Sequence, residues 1–152
     1  MRKIVKELNN LFESKESVKG FVDNIESLTV KNDYFRQVLY TAEHCQLVVM
    51  SLNPNEEIGE ETHDSNDQFF RVEEGVGKVI INDNETELKA GFAIVIPSGS
   101  KHNVIAGDEG LKLYTLYSPP HHRDGVVHKT KEEAQTDKEE FDGKITERKN
   151  NG

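Results

Sequence analysis

"EETHDSNDQFFRVEEG", from Glu60 to Gly75, and "GFAIVIPSGSKHN", from Gly91 to Asn103, decide how the rest of this chain is read. The first closes on a glycine, the second opens on one, and each holds one histidine, His63 and His102. Strand alternation puts Gln68, Phe70 and Val72 on one face and Phe69, Arg71 and Glu73 on the other. The same period keeps Glu61 and His63 together on the preceding strand. Where both strands line the interior of a small β-fold, Glu61, His63 and Gln68 converge. His102 arrives on the strand after "PSGSK", where Pro97 and Gly99 set the turn that aims it. Two imidazoles, a carboxylate and an amide oxygen are a donor set for one divalent metal ion. Asp67 faces away by alternation, and only a bulge would rotate it inward.

Working outward, the signal from Phe21 to Tyr117 is β. "YFRQVLYT" and "QLVVMSL" are rich in β-branched and aromatic residues. "NPNEE" (Asn53 to Glu57) is turn chemistry. "DQFFRVEEG", "GKVIIND", "TELKAG", "FAIVIP", "HNVIAG" and "LKLYTLYS" follow, with turns at Asp83-Asn84, Ala90-Gly91, "PSGS" and "GDEG". Short strands at this spacing predict an all-β antiparallel sandwich or barrel. Before them, Ile4, Val5, Leu8, Leu11 and Phe12 mark one face of an amphipathic helix within residues 1–20. The barrel is expected over residues 21–128. Residues 129–152 are read as a charged tail, with a short helix in "KTKEEAQTDKEE" and a mobile remainder, "FDGKITERKNNG".

Composition removes several function classes. The net charge of −9 opposes a phosphate backbone, so nucleic acid is not an expected partner. No apolar run approaches the ~20 residues that span a bilayer, so no membrane role is expected. The amino-terminal stretch is broken by charges and lacks a small-residue cleavage site, unlike a signal peptide. The single cysteine, Cys45, forms no internal disulfide, which fits a cytoplasmic location. Preceding "QLVVM", Cys45 is expected to be a buried or half-buried core thiol.

The two stretches resemble the paired motifs of the cupins, small jelly-roll β-barrels. The second family motif, G-x5-P-x-G-x2-H-x3-N, matches at Gly91, Pro97, Gly99 and His102, with Ala106 where the family has asparagine. The first, G-x5-H-x-H-x3,4-E-x6-G, is anchored at Gly75 and puts Glu61, His63 and Gln68 at the ligand positions. The chain therefore reads E-x-H-x4-Q where the family usually reads H-x-H-x4-E, and Asn55 replaces the opening glycine. "GEETHDSNDQFFRVEEG" and "SPPHHRDGVVHKTKEEA" further resemble small single-domain cupins likened to the cupin half of phosphomannose isomerases.

The resemblance implies a metal-binding jelly roll with Glu61, His63, Gln68 and His102 as ligands. The donor set is singly anionic, which leaves a divalent ion with net positive charge, as a Lewis acid needs. Fe, Mn, Zn, Ni and Co all remain open. The expected function is metalloenzyme chemistry on a small polar organic molecule, isomerase-like or dioxygenase-like; the alternative is a non-enzymatic ligand binder or sensor. A phosphosugar would want convergent cations, and only Lys101, Lys112 and Arg36 offer themselves. His121, His122 and His128 are read as surface histidines, one of which could serve as an acid or base at the barrel mouth. Phe70, Tyr114 and Tyr40 are candidates for core or pocket wall. The amphipathic helix and an outward Phe69 point to a homodimer.

Overall fold

The computed structural model describes residues 18–147. The expected amino-terminal helix within residues 1–20 and the last residues of the tail lie outside the described residues. The strands are β1 (Arg36–Thr41), β2 (Gln46–Leu52), β3 (Glu61–Thr62), β4 (Asp67–Ile81), β5 (Asn84–Lys89), β6 (Ala93–Ile96), β7 (Lys101–Ser118) and β8 (Val127–His128). Helices α1 (Ile25–Lys31) and α2 (Lys131–Thr136) flank them. The sheet runs β5-β4-β7-β2-β1-β8, with β3 added to β7 and β6 to β4, and every pairing is antiparallel. The all-β jelly-roll barrel read from the sequence is the fold observed.

Its shape comes from one long ribbon. "DQFFRVEEG" and "GKVIIND" are a single strand, β4, and "HNVIAG" and "LKLYTLYS" are a single strand, β7. The two pair from Asp67↔Ser118 to Ile81↔His102, with register breaks at Val72/Glu74 and at Gly75/Gly77. Across the second break, Gly75 pairs Leu111 while Gly77 pairs Ala106, so β7 carries the extra "GDEG" residues there. Such an excess bends a ribbon sharply. The bend has no room for side chains: a Cβ on Gly75 would sit 2.1 Å from the Gly110 carbonyl oxygen, and Gly75 has φ +95°. Folding over at this corner brings both ends of β7, His102 and Tyr117, to the same mouth. Asn55, in place of the family's opening glycine, keeps the left-handed conformation at φ 64°, which asparagine tolerates better than most residues.

Inside, the pleat stacks the core in layers. Gln68, Tyr117, Gln46 and Thr41 occupy adjacent strands at the mouth, and Phe70, Thr115, Val48 and Val38 the next layer down. Met50, Leu113, Val72 and Leu111 form the floor, all essentially fully buried. Removing each such side chain from water contributes roughly 1.5–3 kcal/mol.

Three sequence expectations change. Residues 25–31 form α1 rather than a strand: Asn24 caps it by accepting from Ser27 N at 2.9 Å, which outweighs the β-branched Thr29 and Val30. Cys45 is exposed, because it sits in the tight β1–β2 link closed by Ala42 N–H to Cys45 O, before the strand turns inward at Gln46. The tail expected to be mobile is tied to the barrel as far as Glu147. Phe141 N–H donates to His121 O, Thr146 N–H donates to Thr41 O, and Glu147 accepts from Tyr40 and from the Lys19 and Gly20 N–H groups. The short helix expected in "KTKEEAQTDKEE" forms as α2, capped by Thr130.

Candidate metal centre

At the mouth, Glu61 on β3 pairs directly with His102 at the start of β7. His63 follows two residues after Glu61, and its ring lies 5.3 Å from that of His102. Ligand atoms of Glu61, His63 and His102 all fall within 4.8 Å of one another. Gln68 opens β4 on the same interior face and is 3% exposed. Asp67 points out, its carboxylate accepting from Ser98 N–H at 2.9 Å, so no bulge brings it inward.

Two buried groups are aimed and left without partners. His102 Nδ1 lies 2.9 Å from Ser100 O, and a carbonyl only accepts, so Nδ1 carries the proton and Nε2 presents its lone pair inward. Gln68 Nε2 donates to Thr115 Oγ1 at 3.0 Å, which turns Oε1 inward. Both His102 Nε2 and Gln68 Oε1 are buried with no hydrogen-bond partner. Orphaned acceptors of this kind cost about 1–3 kcal/mol each, and a coordinated ion would remove that cost. His63 Nε2 donates to Glu61 Oε2 at 3.0 Å, a proton that an incoming cation would displace. Burial pushes the Glu61 carboxyl up, but the hydrogen bond from His63 and the charges of His63, Arg36 and His102 outweigh it and hold the group below its usual range. Glu61 is therefore a carboxylate at neutral pH, and the residues fit a divalent ion.

Around this set lies a shell the sequence did not reveal. Tyr117, fully buried, packs edge-on against His63 at 5.9 Å and stacks on His121 at 5.1 Å. His121 meets His63 edge-on at 4.4 Å. His122 Nδ1 donates to Glu139 at 2.6 Å while Nε2 faces the Tyr117 hydroxyl at 3.3 Å. The surface reading is corrected for two of the three histidines: His121 is half-buried, while His122 and His128 are 6% and 3% exposed. Carboxylates of the tail, Glu139 and Asp137, cover them. Buried Gln46 pins the segment, accepting from the His121 and His122 N–H groups and donating to His122 O and Thr41 Oγ1.

Burial and the neighbouring His122 and His63 push His121 down to about 4. Burial also lowers His122, against the pull of Glu139. Burial would raise Glu139, yet the hydrogen bonds from His122 and Arg123 N–H hold it at about 2. Burial raises the Tyr117 phenol. At neutral pH the chain thus runs from Tyr117 O–H through neutral His122 to the Glu139 carboxylate. Alternation alone could have found Tyr117, which shares a face with Thr115 and Leu113. Phe70 is core, Tyr114 packs outward on Phe69, and Tyr40 binds Glu147. A broad concavity lined by Val76, Lys78, Lys89 and Phe92 lies on the β5 side of the ribbon and contains none of these groups.

A sequence profile of the cupin domain matches residues 48–117. The uncharacterized protein YrkC of Bacillus subtilis (strain 168) is 42% identical over 132 residues, covering 82% of this chain and 71% of that one. The chain belongs to the cupin superfamily. A second relative, the uncharacterized protein L612 of Acanthamoeba polyphaga mimivirus, is 42% identical over 112 residues, 70% of each chain. The crystal structure of BH2720 from Bacillus halodurans superposes with a TM-score of 0.75 at 44% identity, covering 78% of this cupin and 96% of that chain. KdgF from Halomonas sp. shares the fold, with a TM-score of 0.54 at 22% identity over 59% of this chain and 79% of that one. No helix among the described residues is long and apolar enough to cross a membrane.

Proposed function

We propose that this cupin binds one divalent metal ion through Glu61, His63, Gln68 and His102 and acts as an enzyme on a small polar organic molecule. The observation that carries the reading is the pair of buried, aimed and partnerless acceptors, His102 Nε2 and Gln68 Oε1, beside the Glu61–His63 pair. When bound, such an ion would polarise a substrate carbonyl or hydroxyl oxygen.

The chain's own residues supply the remainder. Tyr117 walls the site, its phenol O–H aimed at His122 Nε2. As a substrate proton is taken up at the Tyr117 oxygen, the phenol's own proton can pass to His122 Nε2, leaving an imidazolium beside the Glu139 carboxylate. A proton path ending at the metal site favours proton-shuttling, isomerase-like chemistry over ligand binding alone. The two-histidine, one-carboxylate part of the set also suits dioxygenase-like chemistry on iron. The deciding experiment loads the protein with Fe, Mn, Zn, Ni or Co in turn. It then follows hydrogen exchange into hydroxy-carbonyl compounds alongside oxygen consumption. Exchange lost in Tyr117→Phe supports the proton-shuttle reading. Oxygen uptake with iron alone replaces it with the oxygenase reading, and neither activity with any metal leaves a binder or sensor.

A further inference from the structure

Arg36 is a buried cation without an anion. It opens β1 on the same interior face as Val38, two residues on, and is 7% exposed. Its Nη1 reaches His128 Nδ1 at 3.3 Å, and His128 Nε2 in turn donates to Asp137 at 3.0 Å. The guanidinium lies 5.3 Å from the centre of the Phe35 ring, and its Nε, on the edge that grips a carboxylate with two parallel bonds, is buried with no hydrogen-bond partner among the described residues. No carboxylate of the described residues lies within ion-pairing distance of Arg36.

Isolating a guanidinium from both water and counter-charge is costly, and a partner anion removes much of that cost. The other cations considered from sequence are engaged elsewhere: Lys112 binds Asn32 O and Asp33, and Lys101 faces Asp83. The buried side-chain atoms without hydrogen-bond partners are Arg36 Nε, Gln68 Oε1, His102 Nε2 and Arg71 Nε. Arg71 faces Glu73 on the outside at 3.4 Å. The other three belong to the barrel interior: two acceptors in the metal centre and one donor on β1. On the interior face Arg36 lies one layer beyond Val38, whose own layer holds Thr115, the hydrogen-bond partner of Gln68.

We propose that the Nε edge of Arg36 binds the carboxylate of a small organic acid whose second oxygen donor, a hydroxyl, carbonyl or further carboxylate, reaches the Glu61–His63–His102 centre. This rests on the metal-site reading above and names its substrate class. One planar guanidinium matches one carboxylate, whereas a phosphomonoester dianion calls for several convergent cations, which this interior does not offer.

The test titrates the metal first, without acid, into the wild-type protein, Arg36→Gln and Arg36→Lys. Equal metal affinity in all three shows an intact centre; a wild-type protein that takes no metal fails the metal reading and is seen at this step. Calorimetry then adds glycolate, malonate, succinate, glycerol and glycerol 3-phosphate. The expected result is that at least one carboxylate binds the wild type, roughly 30-fold or more weaker to Arg36→Gln. Arg36→Lys falls between, because it keeps the charge and loses the fork. Glycerol should not bind, and glycerol 3-phosphate should bind more weakly than the best acid. Should Arg36→Gln fail to fold, the Arg36 Nε–H resonance of the wild-type protein, followed during the acid titration, reads the contact directly. Acid affinity unchanged in Arg36→Gln, an Nε–H resonance that does not move, or preference for glycerol 3-phosphate would each overturn the proposal.

Discussion

Gln68 and Thr115 are diagonal neighbours on paired strands, one layer apart, and the amide Nε2 donates to the Thr115 hydroxyl at 3.0 Å. That bond decides which end of the amide meets the metal centre, since it leaves Oε1 as the inward atom. Thr115→Val keeps the shape and removes the acceptor, so the amide is free to turn. Metal affinity should fall about tenfold, as is usual for a group that orients a ligand. Calorimetric titration of one metal into both proteins checks this, and equal affinities would make Gln68 a bystander.

Removing a ligand should cost more than removing a neighbour. His63→Ala and His102→Ala are each expected to lower metal affinity beyond the roughly 10–100-fold typical of supporting residues. His122→Ala, which touches Tyr117 and Glu139 rather than the donor set, should leave most of it. Comparable losses in all three variants would move the site toward the "PPHH" segment.

The Glu139–His122 pair makes the tail acid-sensitive. Glu139 lies at about 2 against an ordinary 4.5. A depressed carboxyl contributes stability above its unfolded value, and that contribution is lost as pH falls from about 4.5 toward 2. The depressed His122 acts in the same direction, since a histidine buried neutral resists protonation below its ordinary 6.5. The Glu139 share is on the order of 2 kcal/mol at neutral pH. Melting curves across this range should fall steeply for the wild type and more gently for Glu139→Gln; parallel curves would contradict the pairing.

The folded-over ribbon can be probed at its corner. Gly75→Ala places a Cβ against the Gly110 carbonyl at a φ of +95°, whereas Gly91→Ala has a similar φ of +91° and open space. Gly91→Ala should cost roughly 1–2 kcal/mol of backbone strain, and Gly75→Ala several kcal/mol or the fold itself. Denaturant unfolding compares them, and similar losses would mean that the corner relaxes freely.

Legibility in the sequence followed the range of the interactions. Alternation along β4 and the turn before β7 are local, so Gln68 and His102 could be placed on the interior face from residues alone. The bend at Gly75 was legible only as a turn in "GDEG", because a bulge depends on register against another strand. His122 was hidden for a plainer reason: its burial needs Glu139, 17 residues on, and Gln46, 76 residues back. Arg36 was visible as a cation, but nothing in "YFRQVLYT" says that its carboxylate partner is missing.

The central claim is that Glu61, His63, Gln68 and His102 hold a divalent ion. Elemental analysis of protein purified without chelator tests it most directly, with His102→Ala beside it. One bound divalent ion per chain, lost in the variant, is the result this account requires. A wild-type protein that comes out metal-free and refuses added Fe, Mn, Zn, Ni and Co would contradict it.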